Sequence, residues 1–301
     1  VTTVPTVWDD RYNVEAAPLT STTKQARVVA LARKGGLLDE MPTGLLVDTD
    51  PVFAGIAETH DPAYVEAVRT GEPRQLAQSQ GFKWSPAFAE SVARIWAGHE
   101  EAIFYTRDYP LVLHPVSGAH HAHAERGGGF CTFNYLVGAA KSLLKPTDHC
   151  LILDLDAHLG DGTAALIKGD PRFSLFDIHG GDRDSNGPAL LDLGVLAYTV
   201  KDAASYLGLL KELLPTMLDV AKPTLVQYLA GADPYERDGV GSITGMTAKR
   251  LRERDRFVFD QLRQRNIPAV VTLAGGYVTG ITERLHVATI EEMSKSLDNW
   301  R

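Results

Sequence analysis

Residues 151–163 read LILDLDAHLGDGT, an apolar run that ends in acids and a histidine and then breaks at Gly160 and Gly162. The pattern predicts a strand over Cys150–Asp156. Strand side chains alternate with a period of two, so Asp154, Asp156 and His158 fall on one face and Leu155, Ala157 and Leu159 on the other. Acids and an imidazole crowded at a buried strand end are costly unless something compensates their charge, and a divalent cation does so. Zinc suits carboxylate oxygen and imidazole nitrogen, and an Asp-x-His pair supplies two of three ligands while leaving a position open. A plainer reading has these acids capping the helix that follows, Asp161 above all.

Similar short apolar runs at Leu111–His114, Phe173–Ile178, Thr224–Leu229 and Ala269–Leu273 predict further strands. Amphipathic segments at Thr23–Arg33, Pro62–Arg69, Pro86–Tyr105, Thr132–Leu144, Ala203–Val220, Thr247–Arg265 and Ile281–Leu297 predict helices. This alternation implies an α/β fold, a parallel sheet covered on both faces through right-handed crossovers. No compositional break, repeat or linker divides the 301 residues, which predicts one domain over 1–301.

Thirty basic against thirty-eight acidic residues give a net charge of −8, which argues against a general nucleic-acid binder and leaves the surface hospitable to cationic substrates. Cys131 and Cys150 are too few for a disulfide framework and point to a reducing compartment. With no apolar run approaching a membrane span, the expectation is a soluble, cytoplasmic protein. Glycine pairs near strand ends lack the spacing of a nucleotide-binding fingerprint.

Three more clusters follow predicted strands. HPVSGAHHAHAERGGGFC, residues 114–131, holds four of the ten histidines. Hydrolysis at a metal needs a base for water and an acid for the leaving group, work that His120 and His121 could share; alone, the segment also reads as a polar surface loop. VQYLAGADPYERDG, residues 226–239, delivers Asp233 to a strand end, as a third ligand or an ordinary Asp-Pro turn. In VVTLAGGYV, residues 270–278, glycines let the backbone approach a ligand, and Tyr277 could donate to an oxyanion or merely pack.

The order GAHHA, GGGFC, DLDAHLGDG, AGAD and GGY resembles the zinc-dependent histone deacetylase superfamily, which includes bacterial acetoin-utilisation proteins and acetylpolyamine amidohydrolases. The resemblance runs over roughly residues 5–290. RGGGFC, DLDAH, and the stretch from AGAD through RDG to RERDRFVF are most similar to the class IV branch and its bacterial relatives. The resemblance implies an arginase/deacetylase-like three-layer αβα fold with a central, mainly parallel sheet of about eight strands.

The resemblance further implies one Zn²⁺ per chain on Asp156, His158 and Asp233, and His120 and His121 as tandem active-site histidines, the second as general base and acid. It pairs Asp154 with His120 and Asp161 with His121, and makes Tyr277 the donor to the substrate carbonyl. Gly129, Phe130 and Val240 correspond to walls of the acyl channel, and Asp154, Asp156, His158, Asp177 and Ile178 to a potassium site. Lys24, in the first helix, receives no role. The implied activity is removal of an acyl group, acetyl or longer, from an N-acylated amine, with acyl-lysine foremost and an acetylpolyamine or other small amide as alternative. A di-manganese arginase-type hydrolase and a non-catalytic acyl-lysine binder are further readings. Two departures concern the substrate: Leu159 replaces the His or Gln of many relatives, and the loop HGGDRDSNGP after Ile178 lacks the aromatic that narrows the channel in several of them.

Overall fold

The computed structural model describes residues 2–16, 22–43, 48–180, 187–192 and 194–300, with 187–192 described as backbone. Among the described residues one sheet holds nine strands: β1 (Val4–Thr6), β2 (Leu38–Glu40), β3 (Leu111–His114), β4 (Cys150–Asp154), β5 (Phe173–Gly180), β6 (Gly187–Asp192), β7 (Val195–Val200), β8 (Leu225–Leu229) and β9 (Ala269–Thr272). Their order is β2-β1-β3-β9-β8-β4-β5-β7-β6. Eight run parallel, and β6 closes one edge antiparallel to β7. The expected α/β class and mainly parallel sheet are therefore present.

Alternation along each strand divides the interior into two cores. Leu151, Leu153, Val226, Tyr228 and Val271 face one side and pack with α8 (Ala203–Ala221), α9 (Ala248–Arg265) and α10 (Thr282–Asp298). Cys150, Ile152, Leu225 and Val270 face the other, with α2 (Asp50–Ile56), α3 (Pro62–Thr70), α5 (Pro86–Tyr105) and α6 (Tyr135–Leu143). Local chemistry starts the helices where the sequence indicated: Ser85 caps α5 through Phe88 N–H with Pro86 behind it, and Thr247 caps α9 through Arg250 N–H. Helix α1 (Lys24–Lys34) runs beside α10, while α4 (Arg74–Ala77) and α7 (Asp161–Ile167) are short. The expected elements do not include β1, β2, β6, β7, α2 or α4; of these, β1, β2 and α4 are only three or four residues long, too short to show a period.

Register explains where chemistry gathers. His114 pairs with Thr272, Thr272 with Leu229, Leu229 with Asp154, and Asp154 with Asp177. These five positions, the last of β3, β9, β8 and β4 and a late one of β5, form one row, and because their strands are parallel, the segments after them all emerge at one end of the sheet. That end is where open α/β sheets bind ligands.

One expectation needs correction. β4 ends at Asp154 rather than Asp156, so strand alternation does not bring Asp154, Asp156 and His158 together. Side-chain turns do: Asp154 Oδ1 accepts Asp156 N–H (3.1 Å) and Asp156 Oδ1 accepts His158 N–H (3.0 Å), each carboxylate coiling the next two residues.

Candidate functional site

Asp156 and His158 follow β4, and Asp233 follows the neighbouring strand β8. Among the described residues these three form the one acid–imidazole group compact enough to share a metal ion, with ligand atoms within 4.8 Å of one another. His158 Nδ1 lies 3.1 Å from Asp156 Oδ1 and 3.1 Å from Asp233 Oδ2. Zinc–ligand bonds of about 2.0–2.2 Å separate tetrahedral ligands by roughly 3.4 Å, close to this spacing. On the other side of the ring, His158 Nε2 donates to Val240 O (3.3 Å), which leaves the Nδ1 lone pair for an ion.

The remaining oxygens are held by main chain. Gly275 N–H donates to Asp156 Oδ2 (2.8 Å) and Ala157 N–H to Asp233 Oδ1 (3.1 Å). Asp233 Oδ2 is buried without a hydrogen-bond partner among the described residues. Burial and the neighbouring Asp156 charge push the Asp233 carboxyl up to about 7. The Asp156 and Asp233 carboxylates beside its Nδ1 raise His158 to about 11. Both shifts report the same demand for positive charge at this point, which a divalent cation meets. Gly275 keeps the space open, since a Cβ there would stand 2.2 Å from Asp233 Oδ2 and 2.6 Å from Asp156 Oδ2.

His120 and His121 follow β3 and border the metal group, their ring centroids 4.0 Å apart. His120 is buried, with Nδ1 2.8 Å from Asp154 Oδ2 and Nε2 3.9 Å from Asp156 Oδ1. Burial disfavours its charge, but Asp154, Asp156 and Asp177 outweigh it and raise the imidazole to about 10. His121 is more open; its Nδ1 lies 2.7 Å from Asp161 Oδ1, and His123 Nε2 lies 3.1 Å from Asp161 Oδ2. Asp161 is the first residue of α7, but its carboxylate turns to these two rings instead of capping the helix. Burial raises its carboxyl, and the hydrogen bonds from His121 and His123 more than reverse this, leaving it well below the ordinary range. Gly129, at φ 47°, sits against His121, where a Cβ would reach within 2.3 Å of the ring.

Tyr277 follows β9. Its N–H donates to Asp238 Oδ2 (2.8 Å), and its phenol is held far above the ordinary value by burial and by the charges of Asp156 and Asp233. It therefore stays a proton donor. Phe130 stands beside it, ring centroids 6.2 Å apart, and Val240 is 44% exposed at the rim. Asp177 Oδ2 accepts Gly160 N–H (2.8 Å), and its Oδ1 lies 2.7 Å from His179 Nδ1. The Ile178 side chain is committed to the core, so only its main chain could face an ion. The loop whose missing aromatic bore on channel width falls largely outside the described residues.

Two participants went unassigned in the sequence reading. Lys24, 1% exposed, donates Nζ to Ala274 O (2.7 Å) and Gly276 O (3.1 Å), with the Tyr277 ring centroid 5.1 Å away. Ala274 (φ 46°) and Gly276 (φ 139°) both have left-handed backbone, and Lys24 holds this turn in place. Burial lowers its pKa to about 8 against the pull of Asp233 and Asp156. Asp238 accepts N–H groups from Val240 and Gly241 as well as Tyr277, joining the two loops at the site. A lysine on the inner face of a helix was the available signal for Lys24; Asp238, in RDG, resembles any turn aspartate.

An apolar cavity of about 80 Å³ lies next to the site, bounded by Trp8, Tyr12, Phe82, Phe88 and Phe133. Ser117, Gly118, Phe130 and Cys131 line both this cavity and the space beside Asp156 and Tyr277.

The family model for the histone deacetylase domain matches residues 20–293. An uncharacterized protein of Picosynechococcus sp. is 30% identical over 244 residues, covering 78% of this chain and 79% of that protein. Histone deacetylase 2 of Arabidopsis thaliana is 32% identical over 184 residues, 59% of this chain and 47% of its own length. Histone deacetylase B of Dictyostelium discoideum is 30% identical over 183 residues, 57% and 42%. The match thus spans less than half of each of the two named deacetylases.

Proposed function

This chain belongs to the histone deacetylase domain family, and from that premise we propose that it is a zinc-dependent hydrolase removing acyl groups from N-acylated amines, acyl-lysine foremost. The observation that carries the reading is the convergence of Asp156, His158 and Asp233, one carboxylate oxygen buried and unpartnered, beside two carboxylate-oriented histidines. Bound there, zinc would acidify water and polarise the acyl carbonyl.

The chain's own residues divide the remaining work. His120 is buried and oriented by Asp154, a fixed imidazole beside the metal group. That leaves His121, oriented by Asp161, to take the proton from water and return it to the leaving nitrogen. Tyr277 donates its phenolic proton as a hydrogen bond to the developing oxyanion. Gly129, Phe130 and Val240 are proposed as channel walls, and Asp154, Asp156, His158, Asp177 and Ile178 as a second, potassium site.

The adjoining cavity favours acyl groups longer than acetyl, because about 80 Å³ holds several water-sized groups and its walls are apolar. Placement in the class IV branch rests on RGGGFC, DLDAH and RERDRFVF. A single catalytic domain over 1–301 is supported by one sheet and a match spanning most of the chain. A reducing, cytoplasmic setting is supported by two free, buried thiols; among the described residues no helix is long and apolar enough to cross a bilayer.

The test is a panel of acetyl-lysine peptide, longer acyl-lysine peptides and acetylputrescine against zinc-loaded protein. Acyl-lysine hydrolysis with preference for longer chains is expected. Preference for acetylputrescine would move the assignment to polyamines, and zinc retention with no hydrolysis of any member would sink the enzymatic reading.

A further inference from the structure

The stretch RERDRFVF, residues 252–259, has no part in the chemistry above. It lies in α9, where Arg252 and Arg256 turn outward to Glu291 and Glu292 of α10. Arg254 points the opposite way and is 1% exposed. Its Nη1 donates to Leu155 O (3.1 Å) and Gly231 O (2.7 Å), main-chain carbonyls one residue before Asp156 and two before Asp233. Tyr206 of α8 adds a second donor to Leu155 O (2.9 Å).

The guanidinium is itself oriented. Nε donates to Asp255 Oδ1 (2.8 Å), and Asp255 is anchored by Tyr228 OH from β8 and Thr289 Oγ1 (2.7 Å) from α10. The two ligand loops touch where Arg254 joins them, since a Cβ on Gly231 would stand 2.8 Å from Asp156 Cα. A buried ion pair is poor value as a stabiliser, because well-packed apolar residues commonly do as well. Its geometry points to another use.

We infer that Arg254, oriented by Asp255, is a positioning residue that ties the main chain of the two ligand loops at a set spacing and thereby tunes the affinity and coordination geometry of the divalent cation held by Asp156, His158 and Asp233. This rests on the reading of those three residues as metal ligands. Arg254 touches neither ion nor substrate; it acts through carbonyls next to the ligands.

The experiment compares full-length wild type, Arg254→Gln, Arg254→Lys and Tyr206→Phe, each stripped of metal and checked for folding by circular dichroism. Zn²⁺ affinity is measured against a chromophoric chelator, and coordination geometry by the visible absorption of bound Co²⁺. Arg254→Gln is expected to bind Zn²⁺ about 10–100-fold more weakly with an altered Co²⁺ spectrum, the range found when groups supporting metal ligands are removed. Arg254→Lys should recover part of the loss, and Tyr206→Phe should show a smaller one. A folded Arg254→Gln protein with wild-type affinity and spectrum overturns the inference. Should that variant not fold, wild-type behaviour of both Arg254→Lys and Tyr206→Phe overturns it equally. Wild type that takes up neither ion would overturn the metal reading together with this one, whereas wild type that binds normally beside unchanged variants removes the positioning role alone.

Discussion

Asp233 concentrates the logic of the site in one side chain. One of its oxygens holds the main chain of the DxDxH loop through Ala157, while the other is buried without a hydrogen bond, with the His158 Nδ1 3.1 Å away, an arrangement that costs free energy unless a cation completes it. Gly275 protects that oxygen, and Gly275→Ala should weaken zinc binding at least tenfold while destabilising the fold by about 1–3 kcal/mol, as overpacked positions do. Chelator competition and thermal melting read the two effects; zinc affinity equal to wild type would show that the space over the carboxylates is not used. Tyr277→Phe separates chemistry from binding. It removes a donor but no ligand, so turnover should fall on the order of 10²–10³ while zinc content per chain stays unchanged. Near-normal turnover would end the oxyanion assignment.

At the scale of elements, the pairing of α9 with α10 depends on charge. Glu292 is almost fully enclosed on α10 and receives Arg252, Arg256 and Lys295. Burial opposes its ionisation, but hydrogen bonds from Arg256 and Lys295 prevail and lower its carboxyl from 4.5 to about 2. A depressed folded-state pKa contributes stability that is fully present above about 4.5 and lost as pH falls through about 2. Glu292→Gln should therefore lower the melting temperature at pH 7 by roughly 2 °C, taking about 1 kcal/mol for partly solvated pairs. The gap between variant and wild type should close as pH falls from 4.5 toward 2. A gap constant over that range would mean that packing, rather than charge, is what Glu292 supplies.

For the molecule as a whole, the ligands join segments far apart in the chain. Asp156 and His158 belong to one crossover and Asp233 to another, with Gly275, from the segment between β9 and α10, packed on both acids. Unfolding separates them, so zinc should stabilise the entire domain by linkage. Free Zn²⁺ at a hundred times its dissociation constant adds about 2.7 kcal/mol, which corresponds to roughly 5 °C in melting temperature for a chain of this size. Scanning calorimetry with and without a chelator measures it. An unchanged melting temperature would mean that the ion does not bind the folded state preferentially.

The α/β class, seven of the helices and the five central strands were legible because apolar period, capping residues and glycine breaks are local properties that a short window contains. The acids and histidines that gather at the site were legible too, as chemically unusual runs after strands. Their assembly was not. β4 stops two residues earlier than alternation suggested, because Asp154 and Asp156 fold the next residues into side-chain turns. Local spacing also offered no sign that Asp233 belonged with Asp156; that link came through family resemblance. In space it arises because β8 lies beside β4, while β9 and β3 follow in an order unlike that of the chain. Lys24 meets Ala274, and Arg254 meets Leu155 and Gly231, for the same reason. Which strands become neighbours is settled by burial and backbone pairing between residues distant in sequence, free energies that no short segment carries alone.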